Sequence, residues 1–165
     1  MKKLLLLILI SLLFQPAFGK SIHKEINFEK DSETNAGKIL YEYCLKRENM
    51  NPEQIKEVAN IYPESVKAVE VDLNNDGQNE IVGIVYSTYY LGTSGYSLFI
   101  LQKQNNEYKN ISYENNFEPL KNLFVLKHKT NDYRDIKLYG SVAYNFHPII
   151  IKFKDGWYAS IQQNF

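Results

Sequence analysis

The chain has one cysteine, no excess of either charge, and no apolar run of membrane-spanning length. A single thiol, Cys44, excludes an internal disulfide. An odd thiol in an exported chain is either a free reactive group or an intermolecular link. Leu40, Tyr43 and Cys44 instead fall at helical spacing, which suits a small apolar residue in a core. Lys plus Arg number 19 and Asp plus Glu number 19. That balance argues against nucleic acid or an anionic membrane as partner. His23, His128 and His147 are scattered, with no second His or Cys at ligand spacing, so no zinc site is expected. Gly92-Thr93-Ser94-Gly95 fails the Gly-x-Ser-x-Gly pattern because Tyr96 takes the last place, and no helix follows. No acid/base or nucleophile constellation emerges, and the chain is expected not to be an enzyme. It also lacks internal repeats, linkers and low-complexity segments.

What is present begins with an address. Met1-Lys2-Lys3 precedes the apolar run 4–14 and the small-residue pattern Ala17-Phe18-Gly19. A charged start, a short apolar centre and an Ala-x-Gly end make a secretory signal peptide over residues 1–19. The run falls short of the roughly 18–20 apolar residues of a membrane span. No cysteine follows it, which disfavours a lipoprotein anchor. The expected location is periplasmic or secreted. Cleavage removes two lysines and no acidic residue, leaving a slight acidic excess. The remainder suffices for one domain with a real core.

Residues 20–35 are polar without sustained pattern and read as a flexible leader. Residues 36–47 place Ile39, Leu40, Tyr43 and Cys44 on one face, the mark of an amphipathic helix. Asn51-Pro52-Glu53 reads as a helix start, with the helix ending near Asn60 before Pro63. From residue 66 the period changes to that of strands: 66–73, 81–88, 96–103, 108–113, 122–129 and 136–143. A terminal hairpin, 148–154 and 157–161, turns at Asp155-Gly156. Helices followed by short strands with tight turns predict an α+β fold over 36–165. N-terminal helices should pack on an antiparallel, meander-like β-sheet.

The one motif that carries chemistry lies between the first two strands. Asp72, Asn74 and Asp76 alternate, Gly77 follows, and Glu80 closes the stretch. Calcium takes six to eight oxygen ligands, and alternating acidic residues on a tight turn can converge on one ion, with Gln78 adding a backbone carbonyl. The twelfth position, where a helix-loop-helix calcium hand needs a bidentate Glu, is Gly83. The flanks also read as strands. The alternative is an ordinary hairpin connection in which Asn and Asp cap backbone amides and Gly supplies a positive φ.

Asp72, Asn74, Asp76, Gly77 and Glu80 meet the Asp-x-(Asp/Asn)-x-Asp-Gly-x-x-(Asp/Glu) signature, and the stretch resembles the strand-loop-strand calcium turns of integrin-type FG-GAP repeats. The resemblance implies a structural calcium ion held between two strands. Those proteins repeat the motif, whereas this chain carries it once, so only the local turn is implied and not a propeller. The wider stretch is similar to small exported bacterial proteins that join such a turn to a Cys-Gly-x-x-Gly-Cys loop. Here Leu91 and Tyr96 stand in the cysteine positions of that loop. This second resemblance implies a fold and an envelope location but no reaction.

Tyr89, Tyr90 and Tyr96 crowd the following glycine-rich loop. Loop tyrosines can stack on sugars or anchor a protein interface, and equally tyrosine decorates sheet faces as a good strand former. The sequence therefore predicts a non-catalytic binding or structural module whose partner is a protein or glycan of the cell envelope. An inhibitor-like protein blocking an enzyme such as a lysozyme is the alternative, and a hydrolase ranks third.

Overall fold

The structure is a computed structural model and describes residues 22–90, 96–112, 116–117, 122–142 and 145–160. Residues 1–19, expected to be a signal peptide, and the glycine-rich stretch 91–95 lie outside the described residues. The first departure from expectation comes at once: the leader is partly structured. Ile22–Asn27 forms strand β1, paired antiparallel with a strand nearly 100 residues later, and Phe28–Asp31 forms a one-turn helix, α1. Ile26 and Phe28 are fully buried. A single fully buried residue in an otherwise exposed or half-exposed edge strand leaves no alternation to read, because its order comes from a distant partner.

Thr34–Glu48 (α2) and Pro52–Ala59 (α3) are the two helices the spacing predicts. Asn51 caps α3 through a full capping box: its side chain accepts from the Gln54 amide, and the Gln54 side chain accepts from the Asn51 amide. Both helices end on an asparagine in the left-handed region, Asn49 at φ 53° and Asn60 at φ 52°.

The strands divide between two antiparallel sheets, a division that the sequence pattern does not reveal. Val66–Val71 (β2), Glu80–Val85 (β3), Tyr96–Gln104 (β4) and Glu107–Asn110 (β5) form one meander, with Asn116–Phe117 (β6) pairing the start of β4. Asn122–Thr130 (β7), Tyr133–Val142 (β8), Asn145–Lys154 (β9) and Trp157–Ser160 (β10) form the second, with β1 on its outer edge. Three hairpins turn on consecutive positive-φ residues, Asn105-Asn106, Asn131-Asp132 and Asp155-Gly156. This is the twist-compatible geometry of a two-residue hairpin loop.

The core has two compartments. Val69, Val71, Val82, Ile84, Leu98 and Ile100 of the first sheet meet Leu123, Val125, Ile136, Leu138 and Tyr158 of the second. On its other face the first sheet meets α2 and α3, through Ala68, Ile81, Val85, Phe99 and Leu101 against Leu40, Cys44, Ile55 and Ala59. The first sheet is thus the middle layer, and all six residues of β3 are buried. That explains why residues 81–85, after Glu80, read as a run without polar alternation. Gly83 sits where α2 comes closest: a Cβ there would lie 2.6 Å from Leu40 Cδ2 and 2.8 Å from the Lys67 carbonyl oxygen.

Candidate functional site

The acidic turn connects β2 to β3 and is built by its own side chains. Asp72 accepts from the Asn75 amide at 2.6 Å and from the Gly77 amide at 3.1 Å. The Asn74 side chain accepts from the Asp76 amide at 3.0 Å, and Asp76 accepts from the Gln78 amide at 2.7 Å. Asn75 and Gly77 take positive φ, 70° and 83°, which only Gly and short polar residues adopt readily. Sequence and conformation agree position by position.

Glu80 differs from the other carboxylates because it is almost completely buried. One oxygen accepts from the Leu73 amide at 2.8 Å and the other from Gln102 Nε2 at 3.3 Å. Burial raises its pKa to about 7. The two hydrogen bonds pull it down, and the charges of Asp76 and Asp72 push it further up. Gln102 also donates to the Tyr133 hydroxyl, and Asn74 Nδ2 lies 3.4 Å from that same hydroxyl.

The turn is tied to the second sheet as well. Arg134 donates its amide to the Leu73 carbonyl at 2.8 Å, and Lys129 Nζ donates to the Asn74 carbonyl at 3.0 Å. The loop therefore sits at a corner where both sheets meet.

For a cation the donor set is chemically suitable: hard oxygens from Asp72, Asn74, Asp76 and Glu80, with lone pairs beyond those committed to single amides. Among the described residues, no three His, Cys, Asp or Glu side chains are already gathered into a metal-binding group. As it stands the turn is held by amide-to-side-chain hydrogen bonds, and Glu80 approaches it from the interior. The position of Gln78 leaves its side chain exposed at the rim.

The tyrosines separate. Tyr90 is in the helix-side core, its ring edge-on to Phe99 at 5.4 Å and its hydroxyl donating to Glu48 at 2.9 Å. It is therefore a packing residue and cannot serve as the surface anchor that the sequence suggested. Tyr89 is 44% exposed and donates to the other Glu48 oxygen at 2.9 Å. Tyr96 opens β4 opposite Phe117. Cys44 is fully buried in the same cluster, and burial pushes its thiol up to about 12. It is an inert core residue, as its helical spacing indicates.

Sequence reasoning missed one polar pair. His128 Nδ1 lies 2.8 Å from Asp135, a fully buried carboxylate that also accepts from Thr130 Oγ1 at 2.7 Å. Asp135 lies on β8, and an irregular register between Val125 and Lys129 of β7 brings His128 beside it. Scattered positions in the chain hid that proximity. Compared with known proteins, the chain matches no family, no curated protein and no solved structure.

Proposed function

We propose that this chain is an exported, non-catalytic binding or structural module whose Asp72–Glu80 turn takes a structural calcium ion. The observation that carries the reading is the placement of the turn. A glycine-containing loop rich in oxygen ligands closes the β2–β3 hairpin, backs onto the buried carboxylate of Glu80, and hydrogen-bonds to Lys129 and Arg134 of the other sheet. An ion held by Asp72, Asn74, Asp76 and Glu80, with Gln78 giving its carbonyl, would offset the mutual repulsion of the carboxylates. It would also fix the corner shared by both sheets. The role is structural, with affinity on the order of 10⁻⁴–10⁻³ M, as in extracellular modules. Calorimetric titration of calcium into the purified protein tests it. Saturable heat that Asp76→Ala removes is expected, and an absence of heat in the unmutated protein overturns the assignment.

Partner binding, with a protein or glycan of the envelope, is the second part of the reading. It rests on Tyr89, whose exposed ring follows a serine bonded to the end of α3, where Val58 and Tyr62 are also exposed, 61% and 37%. Exposed aromatics of this kind anchor interfaces. In the inhibitor-like version the partner is an envelope-directed enzyme such as a lysozyme. Inhibition of lysozyme on a cell-wall substrate, weakened about tenfold or more by Tyr89→Ala, is the expected result, corresponding to the loss of an interface anchor worth about 1.4 kcal/mol or more. Uninhibited lysozyme at saturating protein removes that version.

A further inference from the structure

A cleft of about 530 Å³ opens beside the acidic turn, on the first sheet between the turn and the Asn105-Asn106 hairpin. That volume is in the range of small-molecule sites. Its floor is the buried Ile81, and its walls carry side-chain amides from Gln78, Asn79, Asn105 and Asn106. Across the β4–β5 hairpin Tyr108 stands opposite Lys103, half-buried with its ring against the helix-side core.

The chemistry of this lining is selective. The single carboxylate, Glu70, and the single ammonium, Lys103, leave it without net charge, which does not favour phosphate or other anions. One aliphatic floor residue is too little for a lipid chain. Carboxamides both donate and accept, which matches hydroxyl groups that do the same. A half-buried tyrosine offers a rigid face for the apolar side of a pyranose ring, at low entropic cost.

Part of the wall is already oriented. Glu70 accepts from Asn79 Nδ2 at 3.3 Å and from Asn35 Nδ2 at 3.0 Å. Asn105 and Asn106 are fixed by their turn at φ 50° and 65°. The side-chain amides of Gln78, Asn105 and Asn106 hydrogen-bond to none of the other described residues, which leaves their donors and acceptors available to a ligand.

We infer that this cleft binds a neutral saccharide, with Tyr108 stacking on a sugar ring and the side chains of Gln78, Asn79, Asn105 and Asn106 hydrogen-bonding its hydroxyls. The site uses none of the tyrosines at 89, 90 and 96. It does not require calcium, although Gln78 and Asn79 belong to the turn that would hold the ion.

Nuclear magnetic resonance titration of the purified protein tests this, with tri-N-acetylchitotriose and maltotriose as probes, each in chelator and again in calcium. The chelator arm decides, so a failed calcium assignment leaves this result readable. Saturable shifts of the Asn and Gln side-chain amides at 78, 79, 105 and 106, and of the Tyr108 amide, are expected with at least one sugar. Asn106→Gly keeps the positive φ, so it should fold normally and bind about tenfold more weakly, as expected for one lost ligand hydrogen bond. Absence of shifts with both sugars overturns the inference. So do shifts confined to other surfaces, or unchanged affinity in Asn106→Gly.

Discussion

At the scale of single residues, Glu80 is a carboxyl group held in the interior, where its charged form is disfavoured. An unfolded glutamate titrates near 4.5, whereas burial holds this one at about 7. The folded protein therefore keeps the proton more tightly than the unfolded chain does. Its contribution to stability is complete below pH 4.5 and is lost as pH rises through about 7. A shift of that size is worth at most about 3 kcal/mol. In chelator, the melting temperature of the purified protein should fall between pH 5 and pH 7.5, and Glu80→Gln should flatten that slope. Gln retains an acceptor for the Leu73 amide without the charge. Parallel slopes for the two proteins would count against a buried, uncompensated Glu80. Neighbouring residues show how much sequence alone reveals at this scale. Asp72, Asn74, Asp76 and Gly77 were legible because their conformations are set locally, each by an amide within a few residues. Tyr89 and Tyr90 were not distinguishable: both hydroxyls reach Glu48, and only the packing of Tyr90 on Phe99, a distant strand residue, sets which ring enters the core.

At the scale of elements, the contact between α2 and β3 depends on Gly83. In the chain it occupies the place where a calcium hand would carry glutamate, and the fold gives that glycine a reason of its own. A methyl there would meet Leu40, the Ala68 Cβ at 2.7 Å and the Lys67 carbonyl at once, and only the leucine can swing away. Gly83→Ala should cost about 1–3 kcal/mol, as overpacking typically does, measured by urea denaturation. A loss below a few tenths would mean that the helix is not seated as described. The elements themselves were readable where their signals are local: the Asn51-Pro52-Glu53 helix start and the Asp155-Gly156 turn. Strand β1 was not readable. Its order depends on pairing with Leu123 through Leu126, and only Ile26 along it is fully buried, so the segment carries no periodicity of its own.

At the scale of the molecule, the fold is three layers, with helices on a central sheet that packs face to face on a second one. The α+β class follows from pattern, since helical spacing gives way to strand spacing near residue 66. The division into two sheets does not, because pairing partners are chosen by tertiary register rather than by local sequence. Among the described residues, backbone-to-backbone hydrogen bonds join the sheets at two places. The backbone of Tyr158 donates to the Ile111 carbonyl at 2.6 Å near one edge, and the acidic turn receives the Arg134 amide at another. In the proposed function, calcium in the turn stiffens that second junction. Amide hydrogen exchange of the purified protein, with calcium and with chelator, tests it directly. Calcium should slow exchange across residues 72–80 and at the Arg134 amide, and should leave the β9–β10 hairpin unchanged. Identical exchange at Asn75, Gly77 and Arg134 in both conditions, at saturating calcium, would mean that the turn holds no calcium ion.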